Sequence, residues 1–291
     1  MSKGEVREIT LSDVESYINL CMKLRSSRFW SFRGQRSEAW DLAPHPWDDT
    51  EEADVVSLRY EGLKRRYLER TNQNVEMFKR YFTDAAEFAH LRQKGDEWAW
   101  LFYAQHYGLK TQLLDWTSNP LVALYFAVEN ILAPDVTEDC GVVWALTVAP
   151  DRFIRPSDEV APPKSLRDFV LVNPPPLIGI VPRLVRQSGK FSYHPDVRPI
   201  VDQLLPGDML VKIRLEGSDR SRRVVDRIRL QLGIMNIHHA SLFPESENVT
   251  KYLNKQWRLM ALAEHLPNMG PLDYRPDPRG FDRVQEFCVD G

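Results

Sequence analysis

The chain of 291 residues carries 38 Lys and Arg against 41 Asp and Glu, a net charge of −3. That balance argues against a nucleic-acid grip by the whole protein, though not by a local basic patch. Hydrophobic residues at 43% and aromatics at 11% specify a packed globular core, not a disordered chain.

The first helix is predicted from Thr10-Leu-Ser-Asp-Val-Glu15, with Ser12 and Glu15 as a capping box and Val14, Ile18, Cys21 and Met22 as its apolar stripe. Phe29-Trp-Ser-Phe is short and aromatic, and it reads as a buried strand ending at Arg33-Gly34. Residues 40–52 read as a loop and 54 to about 92 as helical. Asp96 caps a helix over Glu97–Tyr107 that is apolar nearly all round, and Gly108 is suited to its C′ position. A strand from Gln112 then runs into a polar turn, and Pro120 opens a second strongly apolar helix at its N1 position.

Gly141–Val148 reads as a central strand. Residues 150–182, with eight prolines, read as surface loop. Lys190–Tyr193 and Met209–Leu215 are predicted strands, Asp219–Leu232 an amphipathic helix with a basic outer face, and Glu245–Glu264 a last long helix. Strands and helices alternate irregularly, so the expected fold is α+β, a mixed central sheet with packed helices. The expected organisation is an N-terminal helix over 1–28, a main domain over 29–265 with a helical insertion at 54–108, and a proline-rich tail over 266–291.

Cys21, Cys140 and Cys288 are far apart and odd in number, which favours reduced thiols and a cytoplasmic location. MSKGEVREITLSDVE has no apolar leader core, and no run approaches the roughly 18 apolar residues of a bilayer span, so no membrane association is expected. The sequence holds no HExxH, CxxC, GxGxxG, GxxxxGK[ST] or GxSxG pattern.

Four polar clusters sit at the ends of apolar elements. In Arg33-Gly34-Gln35 a rigid guanidinium fork suits a phosphate or carboxylate, and Gly34 would let a ligand approach the backbone; equally, Arg33 could bridge to a core acid such as Asp115. In Gln105-His106-Tyr107-Gly108 the helix C-terminus favours a protonated His106, as a proton donor or a clamp, against a satisfied structural histidine. In Leu114–Pro120, Asp115, Thr117 and Ser118 lead into a helix N-terminus that attracts anions, although Ser118 or Asn119 would also make an ordinary cap. In Arg183–His194, Arg186 and Gln187 precede a glycine turn and a strand. Arg220–Arg229 could touch phosphates or simply form a solvated helix face.

Taken together, Ser31-Phe-Arg-Gly-Gln35, Gln105–Gly108 with Thr111 and Leu113–Pro120, the apolar run 123–127, Arg183 with Gln187, Gly189 and Phe191, and Leu242-Phe-Pro-Glu245 resemble the FRG domain family, in the family's order over about 29–255. The order of these motifs is also remotely similar to ADP-ribosyltransferases. That similarity implies an ADP-ribosyltransferase-like core, NAD as substrate, and a bacterial toxin or phage-defence role with an acceptor macromolecule and an antitoxin partner. A nucleic acid is one such acceptor, through the basic 220–229 segment.

The resemblance further implies that Arg33, Asp115, Gln187 and Glu245 carry the chemistry. Arg33, Gly34, Gln35, His106, Tyr107, Thr117 and Ser118 would hold the dinucleotide. The departure is the missing acid near Gln187: either Gln187 takes its place, or an acid such as Asp115 or Glu245 supplies the charge, or the chain is not a transferase. A binding module without turnover, using the same pocket for a nucleotide or a nucleic acid, and a purely structural Arg33–Asp115 pair are the competing readings.

Overall fold

The computed structural model describes residues 4–44, 69–82, 85, 91, 96–129, 141–156, 161–163, 166–174, 181–215, 222–245, 248–250 and 252–254. Eight strands form one mixed sheet: β1 Glu5–Leu11, β2 Ser31–Gln35, β3 Leu113–Thr117, β4 Val142–Thr147, β5 Phe153–Ile154, β6 Val170–Val172, β7 Gly189–Tyr193 and β8 Met209–Leu215. Their order across the sheet is β1-β8-β4-β2-β3-β7-β6-β5. The outer pairs β1/β8 and β5/β6 are parallel and the inner neighbours antiparallel. The helices are α1 Val14–Ser27, α2 over 69–82, α3 Glu97–His106, α4 Pro120–Val128, α5 Pro182–Arg186, α6 Arg222–Ile234 and α7 His239–Leu242. The α+β architecture expected from the sequence is the one observed.

One junction in this sheet is weak. β2 pairs with β4 along its whole length, from Ser31↔Leu146 to Gln35↔Val142, but meets β3 only at Phe32↔Thr117. The cores follow the same division. On the helix side, α1, α4 and α6 cover β1, β8, β4 and β2 through Leu20, Phe32, Ala123, Ala127, Val211 and Ile228. Over β3, β7 and β6, α3 builds a separate core from Trp98, Phe102, Leu113, Phe191 and Tyr193. The opposite face carries a third cluster, including Trp116, Trp144, Phe169 and Ile200.

Gly34 lets α4 lie on the backbone of β2: a Cβ at that position would stand 1.9 Å from the Ala123 carbonyl oxygen and 2.6 Å from the Ala127 amide nitrogen. Gly108, at φ +89°, follows α3 as the predicted left-handed residue, and Asn119 caps α4 through Oδ1 to the Leu121 amide with Pro120 in the first turn.

Several elements depart from expectation. The predicted start of the first helix is strand: β1 runs to Leu11, burying Ile9 and Leu11 while its other residues stay more exposed, and α1 begins at Val14. Its cap is Asp13, which accepts from the Ser16 amide, in place of the predicted Ser12. The proline-rich stretch 150–182 supplies two short strands, β5 and β6, because Phe169–Val172 is apolar enough to be buried whole. Of the expected last helix, 248–250 and 252–254 are helical. Glu245 forms a bend ahead of it, while residues 246–247, 251 and 255–264, residues 54–68 of the predicted insertion and the tail over 266–291 lie outside the described residues.

Behind the sheet's third cluster, His194 is fully buried and its Nε2 lies 2.7 Å from the Ser192 hydroxyl, which accepts from Trp116 Nε1 at 2.9 Å. Burial, with the charges of Arg33 and Arg152, pushes the His194 imidazole down to about 3. A histidine whose folded pKa is depressed takes up its proton more readily unfolded, so stability falls as pH drops from about 6.5 towards 3, by up to about 1.4 kcal/mol per pH unit. Urea unfolding at pH 7 and pH 5 should show that loss in the wild type and a shallower one in His194→Gln. Equal slopes in the two proteins would refute the assignment.

Candidate functional site

Where β2 and β3 part, a cavity of about 260 Å³ opens between the end of α3, the face of α4 and the α5–β7 turn. Its apolar wall includes Phe32, Phe102, Phe126 and Phe191, and Trp116 also borders it. Its polar wall brings Arg33, Gln105, His106, Asp115, Thr117, Arg183, Gln187 and Lys190 together from five elements and the residues that join them. Among the described residues, two guanidinium groups and one ammonium thus face one carboxylate.

Arg33 spans the open junction. Its Nη1 donates to the backbone carbonyl of Asp115 at 2.8 Å, supplying a cross-strand bond that the β2/β3 ladder lacks. The predicted Arg33–Asp115 ion pair is therefore not formed; the contact is to the carbonyl oxygen. Nε of Arg33 is buried and has no partner among the described residues. Burial pushes the guanidinium pKa down, and the Asp115 charge opposes the shift.

The Asp115 side chain is exposed at the cavity, and its Oδ2 accepts from Gln105 Nε2 at 3.0 Å. Thr117 is spent on architecture: its hydroxyl donates to the Gln187 carbonyl at 2.6 Å and accepts from the Asn119 amide at 3.0 Å. Ser118 extends that latch, its amide donating to the carbonyl of Ser188, a residue held at φ +49°. Gln187 lines the cavity, yet its Nε2 donates to the Leu242 carbonyl at 3.3 Å.

His106 is half-buried, and burial first, then the Arg183 charge, push its pKa below the ordinary value, with Glu245 opposing. The dipole argument favoured a protonated imidazole; desolvation and the neighbouring guanidinium outweigh it, so His106 is neutral at pH 7. Arg183 lies 4.6 Å over the Phe243 ring. Lys190 is half-buried, and burial lowers its pKa.

Some candidates are placed elsewhere. Gln35 is buried, accepting from Trp144 Nε1 at 2.6 Å and donating to the Asp41 carbonyl, and it does not border the cavity. Tyr107 is 55% exposed and stacks on Phe82 of α2. Glu245 is exposed outside the cavity wall, close enough to act on His106, and accepts from Asn248 Nδ2 at 3.1 Å. Arg186 is exposed and Ser118 half-buried, both outside the wall. Gly34 borders the cavity, but the space its missing Cβ leaves is taken by α4 and not by a ligand.

The basic 220–229 segment lies partly outside the described residues, and Arg229 within it donates twice to the Val128 carbonyl, closing the C-terminus of α4. Lys190 is the cation that sequence reasoning missed. It sits in a short strand whose alternate residues are apolar, and only its strand register beside Trp116 places it at the opening.

Among the described residues no group of three or more His, Cys, Asp or Glu could hold a metal ion, and no helix is long and apolar enough to cross a membrane. Comparison with curated proteins and with solved structures gave no significant match. The family model of the FRG domain matches residues 28–136, a span that contains β2, α3, β3 and α4 and thereby one side of the cavity. Over residues 28–136 the chain matches the FRG domain, as the residues around Arg33 and Asp115 suggested.

Proposed function

We propose that the cavity binds one end of a dinucleotide and that the protein is an NAD-consuming ADP-ribosyltransferase. The observation that carries this reading is the convergence of Arg33, Arg183 and Lys190 with the Asp115 carboxylate at a parted strand junction walled by Phe32, Phe102, Phe126 and Phe191. Guanidinium and ammonium groups match phosphate oxygens, and a carboxylate accepts from ribose hydroxyls or faces a developing cation. Ligand sites run about 300–1,000 Å³. A cavity near 260 Å³ accordingly takes the nicotinamide-side half, with the rest of the molecule outside it.

In the reaction the bond between nicotinamide nitrogen and ribose C1′ breaks with its electron pair going to the ring, which leaves as neutral nicotinamide. An acceptor nucleophile forms the new bond to C1′ and loses its proton. The aromatic wall keeps water from competing, and Asp115 offsets the charge that develops on C1′. The thiol pattern and the need for NAD fit a cytoplasmic setting.

A second reading is favoured by one observation: among the described residues no glutamate borders the cavity, and Asp115 already accepts from Gln105. On that reading the cavity holds a nucleotide without turning it over. Incubation with NAD labelled on adenine, together with RNA, DNA or protein from cells, separates the two. Release of nicotinamide with label transfer supports the transferase, and the productive arm names the acceptor. Arg33→Ala should lower release by about 100-fold, of the order expected for removing one preorganised charge. No release by the wild type, with ADP-ribose still bound, would leave the binding module.

A further inference from the structure

Outside the cavity wall, Thr111 is buried, and its hydroxyl donates to Gln105 Oε1 at 2.7 Å while accepting from the Leu113 amide at 3.1 Å. Gln105 then donates through Nε2 to Asp115 Oδ2 at 3.0 Å. The backbone of Asp115 is held from the other side by Arg33.

The direction of this chain follows from donor and acceptor inventory. The Asp115 carboxylate can only accept, so Gln105 turns its amide nitrogen to it, and the amide oxygen is left facing the Thr111 hydroxyl, which donates there while accepting from the Leu113 amide. A carboxamide turned the other way would set oxygen against carboxylate oxygen. Thr111 therefore anchors Gln105 in the flip that the carboxylate requires, and Gln105 holds the rotamer of Asp115, leaving Oδ1 without a partner among the described residues.

We propose that Gln105 and Thr111 are positioning residues that fix the Asp115 carboxylate for the ribose of the bound nucleotide, Thr111 acting through Gln105 without touching the ligand. The inference rests on the reading of Asp115 as the group that meets ribose. A buried hydroxyl that orders a carboxylate two bonds away has a signature that simple packing lacks, since its effect disappears when the carboxylate is gone.

The test is a double-mutant cycle of Thr111→Val and Asp115→Ala, read by calorimetric titration of ADP-ribose, with nicotinamide release measured on the single variants. Thr111→Val is expected to weaken ADP-ribose binding about tenfold, ~1.4 kcal/mol, and to lower kcat more than it raises KM. In the Asp115→Ala background the same change should weaken binding no further. Thr111→Ser, which keeps the hydroxyl and loses the methyl, should restore the wild-type values even if it melts at a lower temperature.

Equal losses of affinity in both backgrounds, or no rescue by serine, would overturn the positioning role and leave Thr111 a packing residue. Absence of nicotinamide release from the wild type defeats the transferase reading alone, because the cycle on ADP-ribose affinity still decides the positioning role. Failure of the wild type to bind ADP-ribose overturns both.

Discussion

Asp208→Ala is expected to lower the unfolding free energy by about 3–5 kcal/mol, the cost of leaving a buried charge without its partner. Asp208 is fully buried just before β8, and Arg152 beside it is 5% exposed. The carboxylate pairs with Arg152 Nη1, and it also accepts from the Leu205 amide at 2.9 Å and the Ala149 amide at 3.0 Å. Arg152 in turn donates to the Phe169 and Gln203 carbonyls and lies 4.1 Å over the Phe169 ring. Truncation strands a guanidinium and two amide groups at once.

The double change Arg152→Leu with Asp208→Leu removes the uncompensated charge and should regain part of the loss. Urea midpoints at unchanged m-value would measure both. A loss below about 1 kcal/mol for Asp208→Ala, the level of an exposed pair, would show that water reaches the site.

Gly34→Ala should cost about 3 kcal/mol, the upper end of overpacking, and should reduce nucleotide binding with it. The added Cβ meets Ala123 oxygen at 1.9 Å and Ala127 nitrogen at 2.6 Å, both backbone atoms of α4. Neither can turn aside as a side-chain end would. Relief requires α4 to lift from β2, and Phe126 on α4 borders the cavity. Gly108→Ala makes the comparison, since its cost is conformational: φ is +89° and no atom stands within 4 Å of the new Cβ. That variant should lose about 1–2 kcal/mol and keep its ligand. Thermal unfolding and ADP-ribose titration on both proteins check the contrast; similar behaviour of the two would remove the packing argument for Gly34.

The residues that carry most of the cavity were legible because they stand where apolar runs end. Arg33 follows Phe29-Trp-Ser-Phe, His106 closes an apolar helix, and Asp115 interrupts Leu-Leu-Asp-Trp; a polar group in each place needs a partner or a ligand. The partners themselves were not legible. Gln35 is committed to Trp144, 109 residues away, and Thr117 to Gln187, 70 residues away, and local pattern carries no information about either.

The same limit hid the true contact of Arg33. Sequence pairs a cation with an anion, whereas the fold offers it a carbonyl oxygen exposed where two strands part. β1 was missed for a different reason. With Glu5, Arg7 and Glu8 in its seven residues, an edge strand reads as a charged turn of helix until a neighbouring strand is known.

The pairing of β1 with β8 joins Glu5 to Met209 and Leu11 to Leu215, residues about two hundred positions apart. During synthesis at about 5–20 residues per second, β1 waits on the order of 10–40 s for β8, its neighbour among the described strands. Phe32 likewise waits for Ala145 and Thr117. The Arg33 junction cannot exist before β3 emerges, and the first of the described strands to be made is among the last that can be laid down.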